Sequence, residues 1–591
     1  MRTGPARDAT QPWRRAGTPR SRAPAPRTPA AGPGSGHHAG RPGAYSAELT
    51  GGLTSHTPAS FAGRHIRTYR GTPNMLARKA FARLTRAGTA ALAVAVVATA
   101  LVGCESSDEC GPGDSCPQAF STDAAGKIDE TVRKSMDAGL IPGALVAVHD
   151  PVRGTYTKAY GVADLATGRP MTVDDHVRIG SVTKTFTATA VLRAADEGKL
   201  SLDDALSRYV PGVPNGDAIT LRDLLGMRGG VWDLVGDNDF GSQLVAKTPG
   251  PWHDGDRLRA IIDHPESAKP PRSNTEYSNS EFFLLGLVLE KVTGKPVREV
   301  LDEVATAHGL HDTTYPADAT IPDPAGRGYA YFDDTATDVT ARNTPEIFGA
   351  AGSMVSTIGD LTRYAPLLAR GDLLKPETLQ ARLQFTSGTA GGAPFDYGLG
   401  MQRFGPWLGH TGGVLGYTTH LGYLPDRGIT VAVAVNQYTV PPTLLRITAS
   451  AIWSALVDQL YPESLPGNTP APTTAAPPQP APADLSAQLQ QAFDPEVPAA
   501  QKTLRASDED KDPELLTRLA TGYAEYPMTF QVDKLTQFDN HTLLATTMTT
   551  FAGAKRPMVV PFTARDNTWR LSTDWICESL IAVSQSSPAC T

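Results

Sequence analysis

Gly180-Ser181-Val182-Thr183-Lys184 opens a stretch, Ser181 to Glu197, that reads as one helix. Phe186, Ala190, Val191 and Ala194 are apolar at helical spacing, and Gly198 supplies a C-terminal cap. Residues three apart on a helix share a face, so Lys184 stands beside Ser181. A serine hydroxyl is a poor nucleophile until a neighbour takes its proton. The helix N-terminus favours negative charge at the same place. A lysine on so apolar a helix must be buried, and a buried lysine requires partners.

Two further motifs extend this start. Tyr277-Ser278-Asn279 lies 96 residues beyond Ser181, ahead of a second helix from Glu281 to Val292 with Phe282, Leu285, Leu289 and Val292 in register. A phenol near an ammonium should have its pKa lowered, so Tyr277 is expected to accept the Ser181 proton. Asn279 offers an amide to orient a substrate amide. Gly409-His410-Thr411-Gly412-Gly413 lies at the end of a strand expected over Arg403 to Gly409. Its small residues leave room for a substrate backbone along a strand edge. The Gly413 amide can pair with that of Ser181 as an oxyanion hole, one such donor lowering a barrier by about 2.7–4 kcal/mol.

The surrounding pattern alternates strand and helix. Ala144 to His149 and Thr155 to Val162 flank Pro151-Val152-Arg153-Gly154 as a hairpin, and Tyr417 to Leu424 and Ile429 to Val435 read as strands. The hairpin and the late strands are expected to join one antiparallel sheet, with the long middle forming a helical region.

The chain has 591 residues, 40% of them hydrophobic, and 54 Lys+Arg against 61 Asp+Glu, a formal charge of −7. These values exclude a wholly disordered chain and a nucleic-acid binder driven by bulk charge. The average hides an asymmetry. Residues 1–74 hold eleven Arg, ten Pro and only two acids, Asp8 and Glu48. They read as upstream sequence before a second start at Met75, the alternative being a basic arm. Residues 75–103 read as an export signal, with a basic start (Arg78, Lys79, Arg83, Arg86) and an uncharged run from Ala87 to Val102 that is short for a membrane span. It ends in Leu101-Val102-Gly103-Cys104, which resembles the bacterial lipobox and implies lipidation at Cys104. A chain starting at Cys104 carries a net charge of −20.

Residues 104–118 read as a tether, 119–465 as the main domain, 466–483, with seven Pro and no charge, as a linker, and 484–591 as a last domain. Cys110, Cys116, Cys577 and Cys590 suit disulfides in an exported chain, most simply as the two close pairs, crossed pairing being the alternative. No metal-ligand spacing is present, and neither a metal nor a cofactor is expected.

Ser181-Val182-Thr183-Lys184, Tyr277-Ser278-Asn279 and His410-Thr411-Gly412, in that order, resemble the serine beta-lactamase and D-alanyl-D-alanine carboxypeptidase family, in its class C and penicillin-binding branch. Supporting stretches include Ala351-Gly352-Ser353-Met354 and Tyr397-Gly398-Leu399-Gly400, and the likeness covers about residues 122–463. It implies an α/β (α+β) fold, an antiparallel sheet flanked by helices plus an all-helical region, with the site between them. It implies an acyl-enzyme at Ser181, general-base work shared by Lys184 and Tyr277, and substrate binding by Asn279, His410, Thr411 and Gly413.

Carboxypeptidase members place an arginine after the Gly-Leu-Gly stretch, for a terminal carboxylate. Here that position is Gln402, with Arg403 one step on and facing the other way. The leading expectation is a lipid-anchored, extracytoplasmic carboxypeptidase-like hydrolase of peptidoglycan peptides. The alternatives are an esterase or beta-lactamase on the same site, or an inactive cell-wall-binding lipoprotein. Its partners would be a small-molecule or peptide substrate (cell-wall peptide, beta-lactam or ester) and the membrane, with no nucleic acid. In the last domain, helices are expected over Leu485–Phe493 and Asp512–Ala524, and strands over Thr529–Phe538, Thr542–Phe551, Met558–Ala564 and Trp569–Thr573. Two helices and a meander resemble the small cystatin-like or nuclear-transport-factor-like α+β domains.

Overall fold

The computed structural model describes residues 120–236, 254–390, 393–439, 448–465, 475–551, 553–583 and 585–590. The export signal, Cys104, the Cys110–Cys116 pair and the first part of the proline-rich linker lie outside these residues. All described residues fall in one compact unit, Ser106–Thr591.

The expected hairpin forms: β1 (Gly143–Asp150) and β2 (Gly154–Asp164) turn at residues 151–153. A short β3 (Arg169–Pro170) pairs with the end of β2. The other strands of this sheet come from the second half of the domain. They are β4 (Thr386–Ala390), β5 (Ala393–Tyr397), β6 (Gln402–Phe404), β7 (Trp407–Val414), β8 (Tyr417–Leu424) and β9 (Ile429–Val435). The nine strands lie in the order β3-β2-β1-β9-β8-β7-β6-β5-β4, and β1 closes antiparallel on β9 with Ala144 opposite Val435. One expectation is corrected here. Arg403 to Gly409 is not one strand, because Gly405, at φ 58°, and Pro406 turn the chain back and split it into β6 and β7. The His410 motif therefore lies inside β7, not at a strand end.

Period-two patterning assigns the two faces of the sheet. Val431, Val433 and Val435 face one core with α1 (Thr122–Gly139) and α5 (Ala449–Leu460), while Ala432 and Ala434 face the other. The second core holds α2 (Thr183–Asp196), α3 (Asn279–Thr293) and α4 (Ile358–Arg370). Every residue of β9 is buried, as a strand covered on both faces requires.

The last segment forms α6 (Pro482–Ala492), α7 (Leu515–Gly522), a meander β10 (Thr529–Gln537), β11 (Thr542–Phe551), β12 (Ala554–Arg565) and β13 (Thr568–Leu571), and α8 (Thr573–Ala582). The last helix was not legible as one: Thr573 was expected to end a strand, but Ser572 caps a new helix by accepting from the Trp575 amide. Cys577 on α8 is bonded to Cys590. Trp575 is a core residue here, packed with Phe493 and Leu580.

The meander sits on α1. Leu544 and Val559 join the apolar cluster of α1 and α5. Thr546 donates to the Ala138 carbonyl (2.9 Å), Lys134 donates to the Phe538 carbonyl (2.9 Å), and Lys534 pairs with Asp137. Thus α1 lies between the two sheets.

Candidate active site

Ser181 lies in a 3-10 turn, Gly180–Val182, that runs directly into α2. Gly180 has φ +51°, and a Cβ there would lie 2.6 Å from the Gly413 amide nitrogen. A Cβ on Gly412 would lie 2.0 Å from the Ile179 carbonyl oxygen and 3.2 Å from the Ser181 amide nitrogen. Glycine at both positions lets β7 and the Ser181 turn meet backbone to backbone, and brings the Ser181 and Gly413 amides to one seam.

Lys184 is completely buried. Its ammonium nitrogen lies 3.0 Å from Ser181 Oγ, 2.7 Å from Asn279 Oδ1 and 2.8 Å from the Ala351 carbonyl oxygen. The rings of Tyr277 and Phe282 cover it at 4.9 and 5.7 Å from their centroids. Burial pushes its pKa down to about 7, opposed by the negative charge of Asp233. Near neutrality this amine is half deprotonated, and it is aimed at the Ser181 hydroxyl.

Tyr277 corrects an expectation. Its hydroxyl interacts with Ser181, which lowers its pKa, but burial dominates and raises it above the usual phenol value. Sequence proximity showed the lysine and not the depth of the phenol. Burial therefore keeps the Tyr277 phenol protonated near neutrality.

Asn279, expected to orient a substrate amide, also has partners within the protein. It heads α3, and both polar atoms of its amide are engaged within the protein: Oδ1 accepts from Lys184, while Nδ2 donates to Asp233 Oδ2 at 3.2 Å. His410 is fully buried, with Nε2 3.0 Å from the Tyr397 hydroxyl and Nδ1 2.6 Å from the Thr411 carbonyl oxygen. Burial, with Lys184 nearby, pushes its pKa down to about 3, so it is neutral. Its ring stands 6.4 Å from that of Tyr277. With no exposed surface, it packs behind Thr411 and Tyr277. Thr411 and Gly413 are partly exposed beside Ser181. The Thr411 amide and hydroxyl both donate to Gln402 Oε1, at 2.8 and 3.0 Å. Arg403 pairs instead with Asp396 at 2.7 Å and lies over Phe385.

A Beta-lactamase family model matches residues 128–451, more than half of the chain. The chain belongs to the beta-lactamase family. The model for the C-terminal domain of low molecular weight antigen MTB12 matches residues 478–587. Among curated relatives, "Unguisins hydrolase ungD'" of Aspergillus campestris is 28% identical over 338 residues, 52% of this chain and 60% of that protein. "Esterase EstB" of Burkholderia gladioli is 33% identical over 215 residues, 33% of this chain and 53% of that protein. The chain thus spans little more than half the length of these two relatives. Among solved structures, the D-amino acid amidase of Ochrobactrum anthropi SV3, complexed with L-phenylalanine amide, shares the fold at TM-score 0.52 and 24% identity. That match covers 58% of this chain and 99% of that one.

Three site features of this family member were not singled out from sequence. Asp233 lies in the loop after α-helical Leu221–Leu225 and accepts the Asn279 amide at 3.0 Å as well as its side chain. Glu281, in the first turn of α3, is fully buried and accepts from the Val231 amide at 3.3 Å, with the Gly229 and Gly230 amides also directed at it. Burial raises its pKa well above the usual carboxylate value. The Ala351 carbonyl, a ligand of Lys184, is a backbone atom and leaves no sequence signal of its own.

Proposed function

We propose that this chain is a serine hydrolase that forms an acyl-enzyme at Ser181. The observation that carries the reading is the completely buried Lys184, held by two fixed acceptors and directed at Ser181 Oγ. Neutral Lys184 takes the Ser181 proton as Oγ attacks an acyl carbonyl, and the Ser181 and Gly413 amides receive the developing oxyanion. Lys184, now an ammonium, passes that proton through the Tyr277 hydroxyl to the leaving oxygen or nitrogen, so that both side chains end as they began. Water then hydrolyses the ester.

The acyl donor we favour is an ester or amide without a free carboxylate at the leaving side. Gln402 occupies the place beside Thr411 where a carboxypeptidase would set a cation, and Arg403 is committed to Asp396. The esterase name of a relative supports the same choice. A D-alanyl-D-alanine carboxypeptidase acting on peptidoglycan peptides is the second reading, favoured by the His410-Thr411-Gly412 motif. The export and lipobox patterns ending at Cys104 support an extracytoplasmic enzyme anchored to the membrane by lipid.

Incubation with benzylpenicillin and with p-nitrophenyl acetate, followed by mass spectrometry of the peptides, tests the mechanism. An acyl adduct on Ser181 that is lost in Ser181→Ala supports it, and turnover that survives in that variant refutes it. Comparing rates on p-nitrophenyl acetate, nitrocefin and a D-alanyl-D-alanine pentapeptide separates the substrate classes. Preferential release of D-alanine would overturn the choice of a neutral acyl donor.

A further inference from the structure

Lys184 can serve as a base only if its lone pair, and not an N–H, points at Ser181. A neutral amine has two N–H donors and one lone pair. The Ala351 carbonyl takes one donor at 2.8 Å. The second donor must go to Asn279, and whether it can do so depends on which way the Asn279 amide faces. Turned one way, Asn279 presents an oxygen and accepts from Lys184. Turned the other way, it presents an NH2, donates into the lone pair and removes the base.

Asp233 settles the choice. A carboxylate only accepts. Its Oδ2 lies 3.2 Å from Asn279 Nδ2, and its Oδ1 accepts the Asn279 and Val235 amides at 3.0 and 3.2 Å. An NH2 on the Asp233 side forces oxygen onto the Lys184 side, where Oδ1 sits at 2.7 Å. Three donors hold the carboxylate in place, and the Asn279 backbone bond fixes it to the first turn of α3.

We propose that Asp233 is a positioning residue for the Ser181–Lys184 pair, acting through the orientation of the Asn279 amide. The inference rests on the acyl-transfer reading above and adds a residue that never touches substrate. Asp233 is also the charged neighbour that most directly influences Lys184; burial raises its own pKa, and Lys184 with the Asn279 and Val235 donors opposes that rise. Of the other titratable groups around the amine, Tyr277 stands before α3 with its proton retained and His410 stands on β7 as a neutral ring. Removing the Asp233 charge therefore lowers the pH at which Lys184 loses its proton.

The test compares wild type, Asp233→Asn, Asn279→Ala and the double variant in single-turnover acylation by p-nitrophenyl acetate between pH 5 and 9. Asp233→Asn should slow acylation about tenfold to a hundredfold, the worth of one hydrogen bond to a charged group. KM should stay unchanged, and the acid limb should move to lower pH. The double variant should be no slower than Asn279→Ala alone, since the two act as one unit. A second readout needs no substrate. In protein labelled with 13Cε-lysine, the Lys184 titration should shift to lower pH in Asp233→Asn. Multiplicative rate losses in the double variant, or an unmoved Lys184 titration, overturn the proposal. A wild type inert to every acyl donor whose Lys184 titration still shifts with Asp233→Asn would refute the hydrolase reading and leave the Asp233–Lys184 link standing.

Discussion

Replacing Lys184 by methionine should remove a pH-dependent term from stability whose size follows from its burial. The unfolded chain holds the lysine proton to about pH 10.5, and the folded protein holds it only to about pH 7. Between those values the unfolded state binds more protons, so the wild type becomes more stable as pH rises. That difference in proton affinity corresponds to roughly 5 kcal/mol of destabilisation below about pH 7, fading as pH approaches 10.5. Methionine fills similar space and does not titrate. It leaves Asn279 Oδ1 and the Ala351 carbonyl without a donor, but that loss is nearly the same at every pH.

The quantity to measure is therefore a difference of differences. Between about pH 6.5 and 9.5 the wild type should gain about 3 kcal/mol relative to Lys184→Met. Paired guanidinium denaturation curves at several pH values, followed by tryptophan fluorescence, read it directly. Parallel stability profiles, within about 1 kcal/mol over that range, would refute the lowered proton affinity of Lys184, and with it the assignment of the base. The same variant should lose acylation entirely.

Gly412→Ala should abolish acylation and destabilise the protein by about 1–3 kcal/mol, because its Cβ would lie 2.0 Å from the Ile179 carbonyl oxygen; ester turnover and thermal melting check it. Glu281→Gln should match wild-type stability within about 1 kcal/mol near pH 4.5 and become the more stable of the two as pH rises, while Glu281→Ala leaves buried amides unpaired at about 1–3 kcal/mol. Burial raises the Glu281 pKa, so wild type should lose stability as pH rises above about 4.5, a slope that Glu281→Gln removes. Cys577→Ser opens a bridge between residues 13 apart and should cost the C-terminal part about 3 kcal/mol, measured by melting with and without reductant.

The sheet was legible because its strands carry strong period-two or fully apolar patterns: β8 and β9 have the bounds their sequences suggested, Tyr417–Leu424 and Ile429–Val435. Ser181 and Lys184 were legible because their spacing on a helix is itself geometry. Tyr277 was legible as a neighbour, and its proton affinity was not. Nearness to a charge can be argued from motifs, but desolvation depends on everything packed around the phenol, Phe395 and Tyr397 included. Asp233 carried no motif, and its place beside Asn279 depends on how a loop 46 residues upstream folds back. The Gly405-Pro406 turn carries its own sequence signal, a Gly-Pro pair between Phe404 and Trp407, which divides the apolar run into two strands.

The position of α1 between the two sheets bears on the order in which the molecule can be completed. Its partners on the outer side, Phe538, Lys534 and Thr546, are 404, 397 and 408 residues away in sequence. α1 thus waits for residues some four hundred positions later in the chain before that side is covered. Contacts of such high order slow folding, since the loop they close must be ordered before they contribute. A chain lacking residues 484–591 would leave that side of α1 open, and α1 would then be a part of the beta-lactamase-family domain prone to detach.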